Sequence, residues 1–476
     1  FSLAGRLAFA DGQAVFTDAE GAIPGSQINI SGGVTLGGRN PARQLAAEFS
    51  VAGQSSRKLE HLLGMQLMLP DRPFNMEATL TGGSGRFQLA PLNIVIGESD
   101  LEGQLELKTG QKPELTASLR SNYLHAPFIL PDLDTLEREE RARARAAAPV
   151  EDFTDELTTA ELQERVISAK PLQLDWLQKI NGSLDYSART IFFKEGVAST
   201  ADLIMSVNDG VLAVDRFNWN GTFTKGISTL KIDASGKPYG FEMRVNGERL
   251  PLLWLLAGTP DHREESMYKA MLVSAGNSPR EIAANLNGTA AFRGGGGRIN
   301  NSSLDLLLGD FFGELFDLLN PTSETKAYTR VACNAGALII KDGMVEAVPG
   351  FVLRTEKLDL LSAGTINLKN ERINMAFSTR TRKGLGLSAG RALTSYVKLG
   401  GTLANPRLAL DAAGAAVSGG AAVATGGLSI LAGSMWDRWV ATSGDPCNRL
   451  IKAARKDPKR DYRSLLQEAT ITSPQS

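Results

Sequence analysis

Strict alternation of apolar and polar residues between positions 101 and 120 is the feature that most restricts the possible fold. In residues 101–108 the odd positions are apolar or glycine and the even positions are polar, and the same parity returns in residues 113–120. Side chains of a β-strand point alternately to opposite faces, so this period predicts a strand with one apolar and one polar face. The two runs predict a hairpin that turns near Thr109-Gly110-Gln111. The pattern does not show what covers the apolar face of these strands.

The same alternation recurs along most of the chain, for example in residues 47–51, 74–81, 184–189 and 373–377. Between these runs lie Asn-Gly pairs at 181, 220, 246 and 287 and Asp-Gly pairs at 11, 209 and 342, which are preferred in the type I′ turns of hairpins. Many one-faced strands joined by tight turns predict a mainly β protein, an elongated antiparallel meander with helical insertions.

Three segments interrupt this pattern. Residues 132–178 are charged and poor in glycine, which predicts a helical insertion or linker, and the second half of residues 250–275 is expected to be helical. Residues 304–319 have apolar side chains at helical spacing, with acidic residues on the other side, and predict an amphipathic helix. The apolar face of this helix contains Leu304, Leu307, Leu308, Phe311, Phe312 and Leu315.

These boundaries predict five regions: β segments at 1–131 and 179–300, the charged insertion at 132–178, a C-terminal module at 301–411, and an Ala/Gly-rich stretch with a basic tail at 412–476. The uncharged window 412–436 is mostly small residues and is not expected to span a membrane. The basic residues between 449 and 463 are interpreted as a solvated tail, with binding to anionic headgroups or to an acidic partner as the alternative.

The residues that carry covalent chemistry are not in useful arrangements, so we expect no enzyme. Residues 386–390 match the G-x-S-x-G pattern around Ser388, but the chain's three histidines all precede it, whereas the hydrolase order needs a later histidine. Three scattered histidines and two distant cysteines give no metal-ligand spacing. Glycines 294–297 are interpreted as a bend between a strand and the helix near Leu304, with a phosphate cradle of backbone N–H groups as the alternative. No catalytic residue, metal or cofactor is predicted.

The net charge of −1 argues against electrostatic capture of nucleic acid. The two cysteines, Cys333 and Cys447, are compatible with two buried thiols or with one long-range bridge. The sequence pattern alone leaves both readings open.

The C-terminal third resembles the end of the AsmA-like family of bacterial envelope proteins. The resemblance lies in the order of YTRVACNAGALIIKDGMVEAVPGFVLRTEKLDLLSAGTINLKNERINMAF, SYVKLGGTLANPRLALD, an Ala/Gly-rich stretch and DPCNRLI, and covers roughly residues 280–450. The first 280 residues match only in their repeated one-faced strands. The charged insertion has no counterpart that we can assign.

The resemblance implies a protein of the Gram-negative periplasm, tethered to the inner membrane by an N-terminal segment that precedes this chain. It implies a β-sheet curled into an open groove, a disulfide between Cys333 and Cys447, and phospholipid as cargo rather than cofactor, with the inner membrane and other envelope proteins as partners.

The expected function is lipid transport between membranes and outer-membrane biogenesis. The alternative is a closed β scaffold, such as a sandwich, that binds other envelope proteins without lipid. The residues expected to line the groove are Leu101, Leu105, Leu107, Leu115, Leu119, Ile366, Leu368, Ile373, Met375 and Phe377.

Overall fold

The protein is mainly β, as the alternation predicts. The computed structural model describes residues 2–10, 13–23, 28–37, 45–55, 72–125, 165–194, 197–221, 224–248, 258–260, 266–300, 328–356, 358–381, 396–410 and 445–456. The chain forms two compact units. The N-terminal unit comprises Phe1–Leu133, Gln173–Thr222 and Ile227–Gly236, and the C-terminal unit comprises Asp134–Leu172, Phe223–Gly226 and Lys237–Ser476. The predicted segment 179–300 is therefore divided between two units.

The N-terminal unit is a sheet in which strands that follow one another along the chain lie side by side. The order is β1 to β8, then β10, β11 and β12, and every step is antiparallel except that β10 runs parallel to β8 and β9. A parallel neighbour needs a long crossover, and the charged insertion provides the connection. The strands are β1 (Ser2–Ala10), β2 (Gln13–Ile23), β3 (Ile28–Gly37), β4 (Leu45–Gly53), β5 (Phe74–Gly83), β6 (Arg86–Ile96), β7 (Ser99–Lys108), β8 (Glu114–Ser121), β9 (Leu124–His125), β10 (Asn181–Lys194), β11 (Val197–Asn208), β12 (Val211–Gly221) and β13 (Lys225–Asp233), of which the last enters the unit at Ile227.

The C-terminal unit is antiparallel throughout its described pairings. Its order is β14, β16, β17, β19, β20, β21, β22, β23 and β24, while β18 pairs with the first residues of β19 and with β15. Glycines 294–297 join β17 to β18, which pair with the same edge of β19 without a shift in register, so the expected bend between a strand and a helix is not found at these residues. The elements are β14 (Tyr239–Glu248), β15 (Gly258–Pro260), β16 (Met267–Gly276), α1 (Pro279–Ala284), β17 (Asn287–Gly294), β18 (Gly297–Asn300), β19 (Tyr328–Lys341), β20 (Met344–Thr355), β21 (Leu358–Asn367), β22 (Arg372–Thr381), β23 (Tyr396–Gly401), β24 (Pro406–Leu410) and α2 (Pro446–Lys456).

Three hairpins share the same turn and the same contact to a third strand. The turns at Ser84-Gly85, Asp209-Gly210 and Asp342-Gly343 have positive φ at both residues, as type I′ turns require. In each, the glycine carbonyl accepts a hydrogen bond from the first residue after the third strand: Thr109 at 2.7 Å, Ala234 at 2.9 Å and Leu368 at 2.8 Å. The Asp-Gly turns predicted at 209 and 342 are confirmed, and the one at 11 lies outside the described residues.

The four predicted Asn-Gly turns are wrong, because these pairs lie inside strands β10, β12, β14 and β17. The glycines permit close approach between neighbouring strands. A Cβ on Gly182 would lie 2.3 Å from the carbonyl oxygen of Leu115, and one on Gly247 would lie 2.3 Å from the Tyr268 ring. Glycine at these sites serves strand pairing rather than a turn.

The helix expected in the second half of residues 250–275 is also wrong. Met267–Gly276 forms the strand β16, which pairs with β14 on one side and β17 on the other. The sequence MYKAMLVS has ordinary helix propensity, and pairing on both edges overrides it.

The described end of the 132–178 insertion is not a long helix. It contains one 3₁₀ helix at Asp175–Gln178, preceded by a stretch that bonds to the C-terminal unit. The buried carboxylate of Glu371 accepts hydrogen bonds from the backbone N–H groups of Val166 and Ile167 at 2.7 and 3.2 Å. Because these bonds satisfy two backbone donors, they fix this stretch on the β21–β22 turn.

The first turns of α2 belong to the core of the C-terminal unit, so the interpretation of this part of the tail as solvated is wrong. Leu450 and Ile451 are buried, and Cys447 forms a disulfide with Cys333 of β19, with a Cα–Cα distance of 6.4 Å. The bridge expected from the family resemblance is therefore present. These helix residues pack on small and branched side chains of the sheet, namely Ala291, Ala335, Ala337, Val352, Leu361, Ala363 and Ala376.

Candidate functional site

Apolar residues form continuous cross-strand rows in the N-terminal unit, over the eight neighbouring strands β4 to β8 and β10 to β12. Residues that oppose one another in paired strands project from the same face of the sheet. The middle row runs through Ala47, Leu80, Leu89, Leu105, Ala117, Leu184, Met205 and Val214.

A second row lies on the same face, beside the middle row and nearer the turn that joins β7 to β8. It contains apolar residues and two glycines, and it has no polar side chain. Its members are Leu45, Gly82, Phe87, Leu107, Leu115, Gly182, Val207 and Leu212.

A third row flanks the middle row on the opposite side. Successive rows are two residues apart along the strands, except at bulges in β6 and β12, so each step is about 7 Å. This row contains the first polar atom on the face, the hydroxyl of a tyrosine. Its members are Phe49, Ala78, Leu92, Gly103, Leu119, Tyr186, Leu203 and Phe217.

The other face of the same strands is polar. Across it, the Arg120 guanidinium Nε lies 2.6 Å from Glu102 Oε1, and this hydrogen bond lowers the pKa of the Glu102 carboxyl. The alternation thus gives this set of strands one polar, solvent-facing side and one apolar side. One complete polar row is Ser50, Glu77, Asn93, Glu102, Arg120, Ser187, Asp202 and Asn218.

Large side chains on the apolar face remain partly exposed. Leu115 is 36% exposed and Leu105 and Leu107 are half-buried, whereas the buried members of the three rows are three alanines, Gly82 and Leu92. Among the elements that the structure describes, β4 to β8 make their substantial contacts with strand neighbours in the same sheet. No second layer of described residues closes over this part of the face.

The five predicted groove residues in the N-terminal unit lie on this one face. Leu105 is in the middle row, Leu107 and Leu115 are in the row near the turn, and Leu119 is in the third row. Leu101 lies one step further along β7, opposite Ile94. The predicted hairpin is confirmed, since β7 and β8 pair around the expected turn.

The residues of β6 and β12 that belong to the rows are not predicted from the sequence. In both strands a bulge shifts the alternation by one residue, so the apolar side changes between odd and even positions. Leu89 and Leu92 face the same side although they are three residues apart, since Ala90-Pro91 forms a bulge that opposes one residue in each neighbour. In β12 a bulge places Val214 and Phe217 on the same side. Proline next to an apolar run is the signal that locates the first bulge.

The predicted groove residues of the C-terminal unit are in a different environment. Ile366, Ile373, Met375 and Phe377 share one face of β21 and β22, but Met375 and Phe377 are only 4% and 9% exposed. They belong to a hydrophobic cluster with Ala347, Leu360 and Leu399. Leu368 lies in the turn after β21 rather than on the strand. A ligand-lining role for these five residues stays a prediction.

Two hydroxyl groups meet on the apolar face between the third row and the next one. Tyr186 Oη lies 3.0 Å from Ser121 Oγ, and Ser121 is 1% exposed. Burial raises the pKa of the Tyr186 phenol, so the group is a neutral hydrogen-bonding residue at physiological pH.

Cys333, Asp445 and Cys447 form the group of potential metal ligands found among the described residues. The two sulfurs are bonded to one another, which removes the thiolates that a metal would need. The Asp445 carboxylate accepts a hydrogen bond from the N–H of Asn448 at 3.0 Å and caps α2. This group is structural.

Two sequence features lie outside the described residues. They are Ser388 with its G-x-S-x-G pattern, and the predicted amphipathic helix with Leu304, Leu307, Leu308, Phe311, Phe312 and Leu315. Within the described ranges, no helix is long and apolar enough to cross a membrane.

Comparison with known proteins does not place the chain in a family. No protein-family model, no curated protein and no solved structure matches it.

Proposed function

We propose that this protein is a non-enzymatic lipid-binding protein of the bacterial envelope. Its N-terminal unit holds phospholipid acyl chains on the apolar sheet face, and this binding supports lipid movement between membranes and outer-membrane biogenesis. The observation that carries the proposal is the set of three apolar rows across eight strands, whose large side chains remain partly exposed.

The physical argument is the cost of leaving such a face in water. Exposed apolar surface is unfavourable by about 25 cal/mol per Å², so a face of this extent favours an apolar occupant. Acyl chains suit it because they need no hydrogen-bonding partners, and two of the three rows offer none. The polar face of the same strands meets water, as the alternation requires.

The proposed location is supported by the sequence resemblance to AsmA-like proteins and by the Cys333–Cys447 disulfide. Disulfides persist in oxidising compartments such as the periplasm. Tethering to the inner membrane and partnership with other envelope proteins rest on the resemblance alone.

Native mass spectrometry with lipid extraction, on protein purified from a Gram-negative envelope, tests the proposal. We expect phospholipid bound to the wild-type protein and a large loss of it in the Leu105→Asp, Leu107→Asp double variant. The matched control is Gln104→Asp with Ser183→Asp, which adds the same charge on exposed positions of the polar face. The control should retain lipid.

Two results would count against the proposal. Wild-type protein that is monodisperse and free of lipid favours the closed scaffold. Equal lipid in the double variant and the control shows that Leu105 and Leu107 do not contact it.

A further inference from the structure

The polar atoms on the apolar face of the N-terminal unit are gathered at one end. The row near the β7–β8 turn and the middle row contain no polar side chain, whereas Tyr186 stands in the third row and Ser121 in the next. Ser99 and Ser199 lie beyond them on the same face, among the apolar side chains of Leu124 and Ile191. The face therefore has an apolar end and an end that offers hydroxyl groups.

The Tyr186–Ser121 pair can offer a hydrogen bond to a ligand. Each hydroxyl is both donor and acceptor, and its hydrogen rotates to suit its surroundings. In the structure the Tyr186 hydroxyl donates to Ser121 Oγ at 3.0 Å. Because hydroxyl hydrogens rotate, Ser121 can donate to Tyr186 instead when a ligand is bound, and the phenolic hydrogen then points to an acceptor above the sheet. Tyr186 is half-buried, whereas Ser121 is buried, so of the two side chains Tyr186 is the one partly exposed to a ligand.

Aromatic side chains with polar tips accompany this pair. Trp219 is in the same cross-strand row as Ala188 and Ala201, next to the third row, and its ring lies 5.3 Å from that of Phe217. Tyrosine and tryptophan favour boundaries at which an apolar body meets a polar group.

The distance from this pair to the apolar end suits an acyl chain. Tyr186 stands opposite Leu119, and Leu119 and Ser121 are four and six residues from Leu115 along β8, which corresponds to about 13 to 20 Å of extended strand. A membrane leaflet contributes about 15 Å of hydrocarbon, half of the bilayer core. A fatty acyl chain laid along the strands with its carbonyl at Tyr186 thus ends near Leu115 and Leu107.

We propose, on the basis of the lipid-binding function above, that the ligands are ester-linked lipids whose ester carbonyl accepts a hydrogen bond from Tyr186 and whose chains extend toward the β7–β8 turn. Ser121 is a positioning residue that holds the Tyr186 hydroxyl. The face has no charged side chain in its three rows, so it selects for the ester linkage and the chain rather than for the headgroup.

A competition between diacyl and dialkyl phosphatidylcholine, which differ only in the ester carbonyls, tests this assignment. Lipid-stripped protein is incubated with vesicles of an equimolar mixture, and bound lipid is identified by mass spectrometry. We expect the wild-type protein to retain the diacyl form about fivefold over the dialkyl form, the effect of one net hydrogen bond. Tyr186→Phe should bind both forms equally while total bound lipid changes little.

The matched control is Tyr239→Phe, since Tyr239 belongs to no row of the apolar face and, at 0% exposed, offers no surface to a ligand. It should keep the wild-type preference, and thermal unfolding verifies that each variant is folded. Equal binding of both lipids by the wild-type protein would overturn the ester contact and leave the lipid-binding function standing. If none of the proteins binds the diacyl or the dialkyl form, the lipid-binding function itself is overturned.

Discussion

Asn181 and Asp209 are joined by a side-chain hydrogen bond that recurs elsewhere in the chain. The Asn181 Oδ1 atom accepts from the backbone N–H of Asp209 at 3.0 Å, and Asn287 Oδ1 accepts from the N–H of Asp342 at 2.9 Å. In both cases the asparagine begins a strand and the aspartate begins the type I′ turn at the end of a neighbouring strand. The asparagine thus ties a strand start to an adjacent hairpin.

Replacing either asparagine by alanine should lower the free energy of unfolding by about 0.5 to 1.5 kcal/mol, the net value of one hydrogen bond. Urea denaturation of Asn181→Ala and Asn287→Ala measures this loss. Asn246→Ala is the control, because Asn246 is also followed by glycine but is exposed near the end of β14, where we expect a change within about 0.5 kcal/mol. Equal losses at all three sites would show that the turn contact is not the cause.

A glycine in β17 has a conformation that other residues rarely adopt. Gly288 has φ +143°, and a Cβ there would lie 2.0 Å from the carbonyl oxygen of Met271. We expect Gly288→Ala to destabilise the protein by about 2 kcal/mol or more. Gly236→Ala, with no atom within 4 Å of the added Cβ, should be neutral or slightly stabilising in the same thermal unfolding assay. A tolerated Gly288→Ala would contradict the β16–β17 pairing.

The hairpin at residues 101–120 and the Asn-Gly pairs show where prediction from sequence succeeds and where it fails. Alternation in residues 101–120 reveals the hairpin and its apolar face, because a two-residue period has one structural meaning in a strand. Asn-Gly has two meanings: it forms type I′ turns, but glycine is also needed where strands approach closely, as at Gly182 opposite Leu115. Only the pairing of strands distinguishes these cases, and the local sequence does not determine which strands pair.

The extent of the site was hidden for the same reason. Each bulge in β6 and β12 shifts the parity of alternation by one residue, so Leu92 and Phe217 are in phase with the rows only once the pairing is known. The apolar spacing of MYKAMLVS likewise fits a helix or a strand, and only its pairing with β14 and β17 makes it a strand.

Loss of the Cys333–Cys447 disulfide should weaken the attachment of α2 to the C-terminal unit. The bridge closes a loop with a sequence separation of 114 residues, and the chain-entropy model gives such a bridge about 4 to 5 kcal/mol. Cys333→Ala with Cys447→Ala should lower the unfolding temperature and raise hydrogen exchange in residues 446–456. Leu450→Ala is the control, since it keeps the bridge and removes only packing, at about 2 to 5 kcal/mol. Unchanged exchange in the double variant would show that packing alone holds the helix.

The Asp100 carboxylate should make stability depend on pH in the acidic range. Partial burial raises its pKa, but hydrogen bonds from the N–H groups of Asn122 and Tyr123 and from the Asn122 side chain outweigh this effect and lower the pKa. Because the folded pKa is below the unfolded one, Asp100 stabilises the fold above about pH 4, and this contribution is lost as the pH falls through the folded pKa. Asp100→Asn should therefore be less stable than the wild type near neutral pH, and the difference should shrink in urea unfolding at low pH. A difference that is constant with pH would contradict the assignment.

The proposed direction of the bound chains predicts a gradient of fluorescence quenching. A variant that keeps Trp219 and carries phenylalanine at the other four tryptophans reports on the hydroxyl-bearing end of the face. Lipids brominated near the ester should quench Trp219 more strongly than lipids brominated near the chain terminus, because bromine quenches over short distances. A second variant with Trp219→Phe and Leu107→Trp places the reporter in the row near the β7–β8 turn, where the order should be reversed. The same order at both positions would mean that the chains do not lie along the strands in the proposed direction, whereas equal quenching by both lipids at both positions would mean that they adopt no preferred direction.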